Sequence, residues 1–180
     1  TTRVLRHCLD VDLGLVAVEE PAARSGQSLP HDVVVRQRGE NGQEMATSLA
    51  FLASDDGRTA VACLKRLILA APVPDRQFLV TDERCGLSVG NKGREYLEQL
   101  RQRPTPRFHH VELTRDDLAE LDALAAVVGL AQSRDFEIEG PGGLTRTVST
   151  EEVIESLQRQ GRYRTAPLLR EFVTVPESPS

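Results

Sequence analysis

Apolar positions in this chain gather in short clusters between glycine- and proline-bearing breaks, and their spacing switches between strand-like and helix-like. Val4, Leu5 and Leu9 share one face of a short helix, and Leu13, Leu15, Val16 and Val18 then suggest a strand. Such short runs do not separate helix from strand by periodicity alone. Pro21 to Pro30 is a loop by composition. The run DVVVRQR holds three consecutive valines, a strand signal of the kind found in parallel sheets covered on both faces. GENG is a turn. Gln43 to Ala53 places Met45, Leu49 and Leu52 at helical spacing, so a helix is predicted there.

Asp55-Asp56-Gly57 ends that segment, and either aspartate can cap the next helix. Arg58 to Ala70 carries a broad apolar stripe through Val61, Leu64 and Ile68, which predicts a deeply buried helix. Gln77 to Thr81 is an apolar strand that runs into Asp82, Glu83 and a glycine-bearing loop, and an amphipathic helix follows. Phe108 to Leu113 alternates as a strand. Thr114 caps a long helix over Arg115 to Ala131, with Asp116 and Asp117 at its positive end. Asp135 to Glu139 and Leu144 to Val148 flank GPGG as a hairpin. Ser149-Thr150-Glu151-Glu152 is a capping box opening a helix that Gly161 stops. A last short helix is predicted over Thr165 to Val173.

This alternation predicts an α/β fold: a mostly parallel sheet flanked by helices, with a C-terminal hairpin and helices. A Rossmann-like or a restriction-endonuclease-like core fits the pattern equally. The expected organisation is an α/β domain over residues 1–148 and a helical extension with a polar tail over 149–180. In such folds ligands sit at the carboxyl ends of the parallel strands.

Composition changes this picture in a few places. A net charge of -5 removes any global attraction to nucleic acid or anionic membranes. Arginine supplies 20 of the 22 cationic residues, an excess that reads as coding bias. Cys8, Cys63 and Cys85 are odd in number and far apart, which argues against a disulfide framework or a structural zinc site and for a reducing cytoplasm. No apolar run approaches the roughly 18 residues of a membrane span, so no membrane association is expected. The chain starts at Thr1 without Met and ends in PESPS, as an excised domain of a longer protein or a processed chain would.

Candidate chemistry centres on the loop after Gln77 to Thr81. Asp82 and Glu83 end a strand, Glu112 lies near the end of the next, and His110 shares a strand face with Glu112. Together they form a possible Mg²⁺ site for phosphodiester hydrolysis. The Lys of an acidic-x-Lys triplet, which a restriction-type nuclease needs, is missing from FHHVEL. Gly86, Gly90 and Gly93 with Lys92 and Arg94 enter a helix N-terminus, where an anion is favoured. Their spacing matches neither a Walker A loop nor GxGxxG. Cys85 lacks the C-x5-R spacing of phosphatase chemistry. His109 and His110 point to opposite faces of a strand and cannot simply share a metal. Arg159, Arg162, Arg164 and Arg170 surround Tyr163, a grouping able to contact nucleic acid.

VTDERCGLSVGNKGREYLEQL and VELTRDDLAELDALAAVVGLAQSRDFEIE resemble α/β domains appended to bacterial P-loop ATPases of the AAA and STAND type. The resemblance spans Gln77 to Glu139 and includes no Walker element, so it implies an ATPase module outside this chain. The expected function is a non-catalytic accessory domain, without a cofactor, that binds a protein partner or nucleic acid. The alternative is a metal-dependent phosphodiesterase or nuclease using Asp82, Glu83 and Glu112.

Overall fold

The computed structural model describes residues 15–19, 31–38, 42–139, 142–161 and 168. The chain divides into two units, Gly14–Arg115 and Thr1–Leu13 with Asp116–Ser180. The first unit is built on a sheet of five strands: β1 (Leu15–Glu19), β2 (Val33–Arg38), β3 (Glu44–Leu52), β4 (Arg76–Asp82) and β5 (Arg107–Leu113). They hydrogen-bond in chain order. β2 is antiparallel to β1 and β3, while β3, β4 and β5 run parallel. The sheet is therefore mixed, which corrects the expectation of a mostly parallel one.

The difference traces to Gln43 to Ala53, which forms β3 rather than the expected helix. Thr47, Ser48, Leu49 and Ala50 are all buried in sequence. A strand covered on both faces has no polar alternation, so its apolar residues fit helical spacing by accident. Gly42 has φ +75°, a left-handed conformation that suits glycine, and it turns the chain so that Arg38 pairs with Glu44. The valine run of β2 forms a strand but buries one face: Val33, Val35 and Gln37 are buried, whereas Val34 and Arg36 on the other face are half-buried and Arg38 is exposed. The expected cover on both faces is therefore incomplete, and the neighbours of β2 are antiparallel.

Two helices make the parallel crossovers: α1 (Gly57–Ile68) joins β3 to β4, and α2 (Asn91–Gln102) joins β4 to β5. Both crossovers step the same way across the sheet, so a common right hand places both helices on one face. Ala50, Leu52 and Leu79 of that face pack with Cys63, Leu64 and Leu67 of α1 and with Leu97 and Leu100 of α2. Asp56 caps α1, accepting the Thr59 N–H at 3.0 Å and the Thr59 hydroxyl at 2.8 Å. Gln77, buried beneath α1, donates from Nε2 to the Leu67 carbonyl at 3.1 Å.

The second unit contains α3 (Arg115–Ser133) from Asp116 onward, a hairpin of β6 (Glu137–Glu139) and β7 (Thr145–Thr147), and α4 (Thr150–Arg159). Val128, Ala131, Val148 and Val153 form its core, with Phe136 and Leu157 packed against them. The expected capping box is present. Ser149 Oγ accepts the Glu152 N–H at 3.2 Å, and Glu152 Oε2 accepts the Ser149 N–H at 3.0 Å. The predicted elements at Val4 to Leu9 and Pro21 to Pro30, and all of Thr165 to Val173 except Leu168, lie outside the described residues. Among the described residues no helix is long and apolar enough to cross a membrane.

Candidate functional site

The carboxyl ends of β4 and β5 carry the acidic candidates Asp82, Glu83 and Glu112. Asp82 is the last residue of β4, and its carbonyl accepts the N–H groups of Cys85 and Gly86, each at 3.0 Å, in a tight turn. Gly86 completes that turn at φ +57°. The turn folds Arg84 back over the Asp82 carboxylate. Oδ1 accepts the Arg84 backbone N–H and Nε–H, both at 2.9 Å, and Nη2 closes on Oδ2. These bonds, the guanidinium first, hold the Asp82 carboxyl down to about 2. Glu83 is used differently. Its backbone N–H extends the ladder to the Leu113 carbonyl at 3.0 Å, and its Oε1 accepts the Arg115 N–H at the start of α3 at 2.8 Å.

The register of β4 against β5 separates the remaining acid. Thr81 lies opposite Glu112, and Asp82 lies opposite Leu113. Paired residues of parallel strands share a face, so Glu112 projects with Thr81 and Asp82 projects from the other side. His110 belongs to the Glu112 face, where its Nε2 lies 2.9 Å from the Thr81 hydroxyl. Burial pushes the His110 pKa down, against the opposing pull of Glu112. His109 occupies the other face and stacks on Phe78 with ring centroids 4.8 Å apart. Asp82, Glu83, Glu112 and His110 thus do not converge here. Among the described residues, no group of three or more His, Cys, Asp or Glu side chains is placed to hold a metal ion.

The cationic helix entry is also committed locally. Gly90 is the N-cap of α2 and offers no side-chain acceptor. Lys92 turns along the helix to Glu95 Oε2 at 2.6 Å and over the Tyr96 ring at 5.1 Å. Gly93 serves packing: a Cβ there would meet Val89 Cβ at 2.6 Å and Val61 Cγ2 at 3.3 Å. Arg94 is exposed on the same helix. Cys85 is half-buried and free, whereas Cys63 is buried in the α1 core, where desolvation pushes its thiol pKa up.

Arg159 belongs to a feature that sequence reasoning missed. In the second unit, α4 and the β6–β7 hairpin bound a groove of about 450 Å³. Phe136, Val148 and Leu157 line it, with Arg146, Glu152 and Arg159 among its polar residues. Arg146 is paired with Glu152 at 2.9 Å, and Arg159 Nε donates to its own helix at the Glu155 carbonyl at 3.4 Å. The only sequence signal was the amphipathic α4 following a hairpin. Arg162, Arg164, Tyr163 and Arg170 lie outside the described residues, as do Cys8 and His7.

Comparison with protein-family models, with curated proteins and with solved structures gives no match for this chain.

Proposed function

We propose that this chain is a non-catalytic accessory domain of a larger protein and that it binds a protein partner. The observation that carries this reading is the closure of Arg84 on Asp82. A carboxylate whose oxygens are already filled by guanidinium and backbone N–H groups is a poor metal ligand or base. Glu83 is engaged on one oxygen, where Oε1 accepts the Arg115 N–H. Nucleic acid is the weaker partner class, because Lys92 is neutralised by Glu95 and Arg159 turns to its own helix.

A second reading, a metal-dependent phosphodiesterase, draws on the sheet. An antiparallel meander leading into parallel crossovers suits a restriction-endonuclease-like core better than a doubly wound one, whose strand order reverses. In that reading Asp82, Glu83 and Glu112 would hold Mg²⁺, which would require Glu112 to leave the Thr81 face of the sheet and Asp82 to leave Arg84.

The two readings separate in one assay. The chain is incubated with plain DNA or RNA in Mg²⁺ or Mn²⁺, beside Asp82→Asn and Glu112→Gln variants. The accessory-domain reading expects no cleavage above that of the variants. Metal-dependent cleavage that both substitutions abolish would replace it with the phosphodiesterase. Retention on nucleic acid that falls in Arg94→Ala or Arg159→Ala would move the partner class from protein to nucleic acid.

A further inference from the structure

The end of the first unit opposite Asp82 carries a surface that none of the candidate sites includes. α1 and α2 finish there, and β4 and β5 begin there. Arg103 Nη1 donates to the Ile68 carbonyl at 3.0 Å, joining the two helix ends. The Arg107 N–H donates to the Asp75 carbonyl at 3.0 Å, joining the loops that follow them. Leu69 is 68% exposed and Val73 60% exposed, with exposed Ala71 and Pro72 between them. No other large apolar side chain is exposed among the described residues of this unit.

Cations frame this apolar strip. Lys65 lies one turn before Leu69, on the same side of the chain. Arg101 and Arg103 end α2, and Arg107 opens β5. Lys65, Arg101 and Arg107 are exposed and have no ion-pair partner among the described residues. The chain as a whole carries -5, so the sign is locally reversed. Favourable interaction with the carboxyl ends of the helix dipoles accounts for Lys65 and Arg101 alone. It does not account for Arg107, or for leucine and valine left in water between the cations.

We infer that this end of the unit is the docking site for an acidic peptide segment of the protein partner. The segment's aliphatic side chains would cover Leu69 and Val73, and its carboxylates would meet Lys65, Arg101 and Arg107. Arginine suits carboxylates through its planar fork of donors. Single-stranded nucleic acid is the poorer fit, because it is held by aromatic stacking and the exposed side chains between these cations are aliphatic. The inference rests on the partner-binding reading above and assigns it a surface and a ligand chemistry.

The test uses the full chain and a synthetic peptide of repeated Glu-Leu-Leu-Glu, followed by amide chemical-shift mapping. The expected result is shifts confined to residues 65–75 and 101–107, with affinity falling as salt rises. Leu69→Ser with Val73→Ser, and Lys65→Glu with Arg107→Glu, each weaken binding by at least about tenfold. All four side chains are exposed, so both double variants stay folded. Lys65→Glu lowers the melting temperature by a few degrees at most, because it sets an anion at the carboxyl end of α1, and folding is checked by a cooperative melt and an otherwise unchanged amide spectrum.

Absent shifts, or shifts confined to the groove of the second unit, overturn the inference. So does a poly-dT oligonucleotide that moves the same amides at lower concentration than the peptide, or self-association that the double variants abolish. Metal-dependent cleavage of nucleic acid is a separate outcome, and it overturns the accessory-domain reading instead.

Discussion

Asp75 and Ala46 exchange two hydrogen bonds: the Asp75 N–H donates to the Ala46 carbonyl at 2.8 Å, and Asp75 Oδ2 accepts the Ala46 N–H at 2.7 Å. The Asp75 carbonyl also accepts the Arg107 N–H. One residue ahead of β4 therefore ties the starts of three parallel strands, β3, β4 and β5. Asp75→Ala removes the side-chain half of this arrangement and should cost about 1–2 kcal/mol in urea unfolding, with Asp75→Asn costing less because its amide oxygen still accepts. An unchanged midpoint for Asp75→Ala would mean that water replaces the carboxylate without loss.

Asp82 and Arg84 give a pH prediction. The Asp82 carboxyl is held below its ordinary value of 3.8, at about 2. A depressed carboxyl contributes stability that is full above its unfolded pKa and is lost as pH falls through the folded one. The contribution should therefore vanish between about pH 4 and pH 2. Carboxyl-carbon NMR should show Asp82 titrating near the lower limit, and in Arg84→Ala the midpoint should move up toward the ordinary value. A midpoint that ignores Arg84 would show that the guanidinium does not hold the carboxylate in solution.

Gly93 tests whether the glycine-bearing loop is built for packing. Alanine is better than glycine in a helix by up to about 1 kcal/mol. Here the added Cβ would meet Val89 Cβ, an atom fixed to the backbone, at 2.6 Å. Overpacking of this kind costs about 1–3 kcal/mol. Gly93→Ala should therefore be net destabilising by thermal melting, and a raised melting temperature would contradict the close contact.

Ser48 supplies a prediction of the opposite sign. Its hydroxyl is fully buried beside Gln77 on β4, and neither Ser48 Oγ nor Gln77 Oε1 has a partner in the structure. Removing an unpaired buried hydroxyl should be neutral or stabilising by up to about 1 kcal/mol. A clear loss of stability in Ser48→Ala would reveal a bond through an ordered water.

Local chemistry was legible wherever a residue type and a fixed spacing determine the outcome. The Ser149–Glu152 capping box and the Asp56 cap depend only on neighbours in sequence, and both form as read. The β3 error has a physical cause: burial on both faces erases the polar alternation that marks a strand. The candidate metal site needed something that no single strand encodes. His110 and Glu112 do share a face as expected, but their relation to Asp82 depends on the register of β5 against β4. Thr81 pairs with Glu112, and a slip of one residue would have set Asp82 there instead. Nothing local to either strand specifies that pairing.

The sheet's spatial order, β1-β2-β3-β4-β5, repeats its order along the chain. On a ribosome this means vectorial assembly. Each strand emerges after the neighbour it must join, and none has to be held open for a later strand to slip between. Parallel pairing is slow when it waits for distant segments, and domains form from the N-terminal side during synthesis. Here the antiparallel meander supplies a finished edge at β3 before α1 is made, and β4 and β5 extend it outward in turn. The nascent chain grows its sheet in the direction in which it is translated.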